Sequence, residues 1–129
     1  MSEKLRLLYV DDEADIREVV EIALEDEPDL ELRICASCAA AVELVKTWRP
    51  DLLLLDVMMP GLDGPATFAQ LRALPGMASV AAVFVTAKVQ PREIDQLKAL
   101  GAIGVIAKPF DPMSLAEHIR ALWKERHVE

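Results

Sequence analysis

Hydrophobic positions near the start of the chain come as a run, Leu5, Leu7, Leu8, Tyr9 and Val10, that stops at the acidic trio Asp11, Asp12 and Glu13. The run is too short for a helix of ordinary length and predicts a buried strand. From Ile16 the period changes. Ile16, Val19, Val20, Ala23 and Leu24 recur at i, i+3, i+4, i+7 and i+8, with Asp15, Glu18, Glu21 and Glu25 mostly opposite, which predicts an amphipathic helix ending before Pro28. Leu30, Leu32 and Ile34 then alternate with Glu31 and Arg33, as in a strand with one wetter face. Ser37 is placed to cap a helix carrying Val42, Val45 and Trp48, closed by Arg49-Pro50.

Leu52 to Leu55 is the most continuous apolar run and ends at Asp56, as a central parallel strand buried on both faces would. The loop from Met58 to Gly64 is punctuated by Pro60 and Gly61; Phe68, Leu71 and Arg72 belong to the next helix, broken at Pro75-Gly76. Val80 to Val85 predicts a strand ending at Thr86. Pro91 opens a helix containing Ile94, Leu97 and Leu100, which Gly101 ends, and Val105-Ile106-Ala107 is a last strand before Lys108-Pro109. Asp111 with Pro112 is expected to cap a final helix in which Leu115, Ile119, Leu122 and Trp123 share a face. Five strands alternating with five helices predict an α/β fold: a doubly wound (βα)5, flavodoxin-like, five-stranded parallel sheet with helices on both faces. In such sheets ligands bind outside the carboxyl ends of the strands.

Composition narrows this picture. A chain of 129 residues, 53% hydrophobic and 28% charged, can bury one core without staples and is read as a single domain over 1–129. Fourteen basic against 22 acidic residues give a net charge of −8, which repels phosphate backbones and argues against direct nucleic-acid binding. No apolar run approaches a membrane span of ~20 residues, and the N-terminal segment lacks a signal peptide's apolar stretch, so a cytoplasmic protein is expected. Cys35 and Cys38 have C-x-x-C spacing, but Cys35 falls at a strand end rather than at a helix N-terminus that would lower its pKa; two semi-buried thiols are expected. His118 and His127 lie too far from them for zinc spacing and are read as surface residues. Gly101 to Gly104 leads into a strand and is no dinucleotide fingerprint. Asp63-Gly64 reads as a turn and helix start, and Glu25-Asp26-Glu27 as a solvated helix end.

The residues that end the strands are all polar: Asp11 and Asp12 after the first, Asp56 after the third, Thr86 after the fourth, Lys108 after the fifth. Three carboxylates on one sheet edge repel one another unless one takes a proton or a cation bridges them. A hard divalent ion such as Mg²⁺ prefers oxygen ligands and keeps waters, leaving positions open toward a phosphate. Lys108 adds a point charge and Thr86 a hydroxyl, a set suited to phosphoryl transfer, where an aspartate can itself be the nucleophile.

These features together resemble the CheY-like receiver domains of two-component response regulators. The matching residues are Asp11-Asp12, the stretch Asp56 to Gly64, Thr86-Ala87 and Lys108-Pro109-Phe110, in this order along essentially the whole chain. The resemblance implies a phosphoacceptor switch that catalyses its own phosphorylation and dephosphorylation and is not an enzyme acting on a separate substrate. Asp56 would accept a phosphoryl group from a histidine kinase or phosphotransfer protein. Asp12 and Asp56 would ligate Mg²⁺ directly, Asp11 mainly through a water, and the Met58 backbone carbonyl would complete the protein's share. Lys108 would pair with the phosphoryl group and Thr86 would swing toward it; Met58 and Lys88 would tune its lifetime. Lys108-Pro109 is expected to be cis. A downstream target would dock on the face of the fourth helix, fifth strand and fifth helix. Val105 stands where many receivers carry an aromatic switch residue, so such a ring is missing. Other readings are a phosphorelay intermediate, a receiver from a larger regulator and, more distantly, a flavodoxin-like small-ligand binder.

Overall fold

The computed structural model describes residues 4–126, so His127 and the first three residues lie outside the described residues. Its strands are β1 (Leu5–Val10), β2 (Leu30–Cys35), β3 (Leu52–Asp56), β4 (Ala81–Thr86) and β5 (Gly104–Ala107). The helices that follow them are α1 (Ala14–Leu24), α2 (Cys38–Val45), α3 (Gly64–Arg72), α4 (Pro91–Ala99) and α5 (Leu115–Glu125). All strand pairs are parallel, in the order β2-β1-β3-β4-β5. The chain moves outward from β1 to β2, then returns to place β3 on the other side of β1. That reversal opens a crevice above the carboxyl ends of β1 and β3.

Side chains alternate across the sheet with the period of a strand and build a core on each face. Leu7, Tyr9, Leu52, Leu54, Val83, Val85 and Ile106 face Val20 and Leu24 of α1 and Leu115 and Ile119 of α5. Leu8, Val10, Leu53, Leu55, Ala82 and Phe84 face Ala41 and Val45 of α2, Phe68 and Leu71 of α3, and Leu97 of α4. Every residue of β3 and β4 is buried, which explains why the sequence shows them as unbroken apolar runs. Ser37 caps α2 by accepting the Ala40 N–H at 3.2 Å, and Asp63 caps α3 through the Ala66 N–H at 2.9 Å. Gly101, at φ +112°, ends the α4 segment in a conformation that side chains disfavour. The Lys108–Pro109 bond is cis.

Four local expectations are corrected. Trp48 lies beyond α2, which ends at Val45. Its indole N–H instead reaches Glu31 Oε2 at 3.0 Å, with Arg33 stacked 5.2 Å above the ring, so contacts to the edge strand fix it. Asp111 does not cap α5: its carboxylate accepts the Met113 N–H at 3.0 Å and closes a turn two residues on, and the helix starts at Leu115. Leu100 is the exposed C-cap of α4 rather than part of its packed face. Glu27 is not merely solvated, because Arg120 of α5 binds it together with Asp29. His118 is exposed, as expected.

Candidate functional site

Parallel pairing in register carries three carboxylates to one place. Val10 lies opposite Leu55, so Asp11 and Asp56 follow side by side at the ends of neighbouring strands. Oxygens of Asp11, Asp12 and Asp56 lie within 4.8 Å of one another. Asp11 is 0% and Asp56 2% exposed, whereas Asp12 faces solvent. The end of β5 brings Lys108 to the same edge. Its Nζ stands 3.1 Å from Asp11 Oδ2, 3.2 Å from Asp56 Oδ1 and 3.4 Å from Glu13 Oε1.

Around these charges the backbone is tied down. The Lys108 N–H donates to the Thr86 carbonyl at 2.8 Å, and buried Thr86 accepts the Lys88 N–H on its Oγ1 at 3.0 Å. Asp56 Oδ1 also takes the Met58 N–H at 3.4 Å, which ties the loop backbone to the strand end while the Met58 side chain stays exposed. Gly64 packs against the same strand end: a Cβ there would lie 2.5 Å from the Asp56 carbonyl oxygen, so a side chain would push α3 off the site. The sequence shows Asp63-Gly64 as a helix start, and the close approach adds a second reason for the glycine.

Electrostatically the edge is overloaded. Burial, then the charge of Asp11, pushes the Asp56 carboxyl up to about 6, with Lys108 opposing them. Burial alone would lower Lys108, yet its bonds to Asp11 and then Asp56 hold it above its ordinary range. Asp56 Oδ2 is buried with no hydrogen-bond partner. An orphaned carboxylate oxygen beside two further carboxylates, with one lysine between them, is a donor set that fits a hard divalent cation. Asp11, Asp12 and Asp56 can supply it with side-chain oxygens, and Met58 follows directly in the loop.

Two participants escape a reading of the strand ends alone. Tyr9 donates its hydroxyl to Asp11 Oδ2 at 2.6 Å, and burial followed by that carboxylate holds the phenol far above its usual range. Glu13 touches Lys108. The acidic trio and the two-residue spacing of Tyr9 from Asp11 were the available signals. The other candidates stay outside the site: both cysteines are free, and burial raises the Cys35 thiol, the reverse of an activated nucleophile. Half-buried Val105 sits opposite Phe84, whose ring meets Phe68 edge-on at 5.8 Å.

A family model described as "Response regulator receiver domain" matches residues 7–120. The response regulator Rre1 of a Synechocystis strain is 34% identical over 122 residues, covering 95% of this chain and 53% of that protein. The DNA-binding response regulator MtrA of Mycobacterium tuberculosis is 36% identical, covering 90% of this chain and 49% of that one. The chain thus spans about half the length of these curated relatives. Among solved structures, the Vibrio cholerae chemotaxis protein CheY4 superposes with a TM-score of 0.83 at 27% identity, covering 92% and 98% of the two chains. The signal receiver domain of a histidine kinase from Syntrophus aciditrophicus gives 0.77 at 27% identity, covering 95% and 92%.

Proposed function

Because the chain belongs to the receiver domains of two-component response regulators, we propose that residues 1–129 act as one receiver unit in which Asp56 is the phosphoacceptor. A carboxylate oxygen of Asp56 attacks the phosphorus of a phosphohistidine on a histidine kinase or phosphotransfer protein. The new O–P bond forms as the P–N bond breaks, and the electron pair leaves on the imidazole nitrogen, which takes up a proton. The chain is acceptor and switch in one, and the same groups serve its own phosphorylation and dephosphorylation.

Lys108 gives up its contact with Asp56 Oδ1 and pairs with a phosphoryl oxygen instead. Thr86 still carries a hydroxyl proton to donate, since its Oγ1 acts only as acceptor toward Lys88. Asp12, Asp56 and the Met58 carbonyl would hold Mg²⁺, with Asp11 behind a water; when bound, the ion neutralises charge gathering on the phosphoryl oxygens. Exposed Met58 and Lys88 flank the entry and set how readily water reaches the phosphoryl group.

The switch would be read by a downstream protein on the face of α4, β5 and α5, where α4 buries only Leu97. Some relatives are named as DNA-binding; for this chain the net charge of −8 supports a protein target instead. Free cysteines suit a reducing compartment such as the cytoplasm. No helix among the described residues is long and apolar enough to cross a membrane.

The buried, unpartnered Asp56 Oδ2 beside a bridging lysine is the observation that carries this reading. Incubation with acetyl phosphate and Mg²⁺, followed by intact mass, should add one phosphoryl group to the wild type and none to Asp56→Asn. No addition to the wild type, or equal addition to both, overturns it.

A further inference from the structure

Tyr9 is the single tyrosine of the chain. Its ring fills a core position on the sheet face shared with Leu7, Leu54 and Val85, where a phenylalanine would supply the same volume. The hydroxyl is therefore the informative atom. It is removed from water, a cost unless it is bonded, and its bond runs to the acidic edge, to Asp11 Oδ2 at 2.6 Å.

The bonding of the three carboxylates is uneven. Asp11 Oδ2 accepts from Tyr9 and Lys108, and Oδ1 accepts the Glu13 N–H at 2.9 Å. Asp56 has one oxygen bonded and one orphaned, and Asp12 is exposed. A carboxylate held by three donors has little left to offer a cation directly, whereas an orphaned oxygen has everything to gain.

Resting on the cation reading above, we infer that Tyr9 is a positioning residue for the divalent ion: its hydroxyl fixes Asp11 so that Asp11 serves the ion through solvent while Asp12 and Asp56 present the free oxygens. Donors behind a ligand orient it, and losing one weakens metal binding although it never touches the metal. Glu13 N–H and Lys108 approach Asp11 from the loop and from β5; Tyr9 alone approaches from the rigid interior of β1. It therefore sets the orientation while the other two can move.

Calorimetric titration of the full chain with Mg²⁺ tests this. Tyr9→Phe should bind Mg²⁺ about tenfold more weakly. Its phosphorylation rate from acetyl phosphate at saturating Mg²⁺ should stay within about twofold of wild type, so that the Mg²⁺ requirement moves and the maximal rate does not. In an Asp11→Asn background the same substitution should change the Mg²⁺ affinity no further, because the hydroxyl acts through that carboxylate. Equal affinities of wild type and Tyr9→Phe, or an equal loss in both backgrounds, overturn the inference while leaving the cation site standing. Absence of Mg²⁺ binding by the wild type overturns both. Should Tyr9→Phe fail to fold, the lone tyrosine serves as its own probe. Mg²⁺ should shift its near-UV absorbance in the wild type and not in Asp11→Asn, and an unresponsive wild-type tyrosine rejects the assignment.

Discussion

Lys108 and Arg120 each gather several carboxylates from distant parts of the chain, yet their surroundings give the two clusters opposite characters. Lys108 joins Asp11, Asp56 and Glu13 at the carboxyl edge of the sheet, and two of those acids are buried. Arg120 joins Glu27 and Asp29, taking Asp29 through two bonds of 2.8 and 2.7 Å, and fastens α5 to the turn before β2. Here the hydrogen bonds hold Asp29 below and Arg120 above their ordinary ranges, so both groups are favoured in their charged forms. At Lys108 one ammonium serves too many acids, and Asp56 is pushed toward its proton. Solvent screens the half-exposed Arg120 cluster, whereas burial leaves the excess negative charge around Lys108 unscreened.

The largest effect should come from breaking the buried cluster. Lys108→Ala strands two buried carboxylates and should cost about 3 kcal/mol, lowering the thermal midpoint by roughly 10 °C without divalent ions and by less with Mg²⁺. An unchanged midpoint would mean that the buried acids are already protonated. Removing an acid instead should help. Asp56→Asn in chelator at pH 7 should melt roughly 3–8 °C above wild type, with Mg²⁺ closing the gap.

The sign of the pH dependence follows from the raised Asp56. Its folded form holds a proton more firmly than the unfolded chain, whose aspartates titrate near 3.8, so the metal-free protein loses stability as pH rises from about 4 through about 6. The advantage of Asp56→Asn should therefore vanish in melts near pH 4. An advantage that persisted there would point to packing rather than charge.

On the surface the same operation should matter little. Arg120→Met should cost less than about 1 kcal/mol in urea denaturation, and a loss as large as that of Lys108→Ala would erase the distinction between the clusters. The smallest expected change tests burial without charge. Thr67 is fully buried with an unbonded hydroxyl, so Thr67→Val should be neutral or add about 0.5 kcal/mol.

The sequence carried the frame of this molecule because strands and helices write their periods locally: Leu52 to Leu55 announces a two-faced strand, and Asp56, Thr86 and Lys108 end the runs that position them. The cap at Ser37 and the helix start at Asp63-Gly64 were legible for the same reason. What escaped depends on residues far apart. Trp48 is drawn to Glu31, and Glu27 to Arg120, across separations no window spans. Asp111 was misjudged because an aspartate before a proline can serve a helix or a turn, and only the backbone decides. At the site, the strand-end residues could be assembled by topology, but the Tyr9 hydroxyl and the Gly64 approach are matters of ångströms.

The Lys108–Asp11 contact joins residues 97 positions apart, from the first strand to the end of the last. Closing so long a loop is slow and earns nothing until the final strand docks. The acids of the sheet edge come from β1 and β3, whereas the lysine that tempers them comes from beyond β5. The charge balance of the acidic edge is therefore a property of the complete sheet, since the lysine that meets Asp11 and Asp56 arrives only with the end of β5.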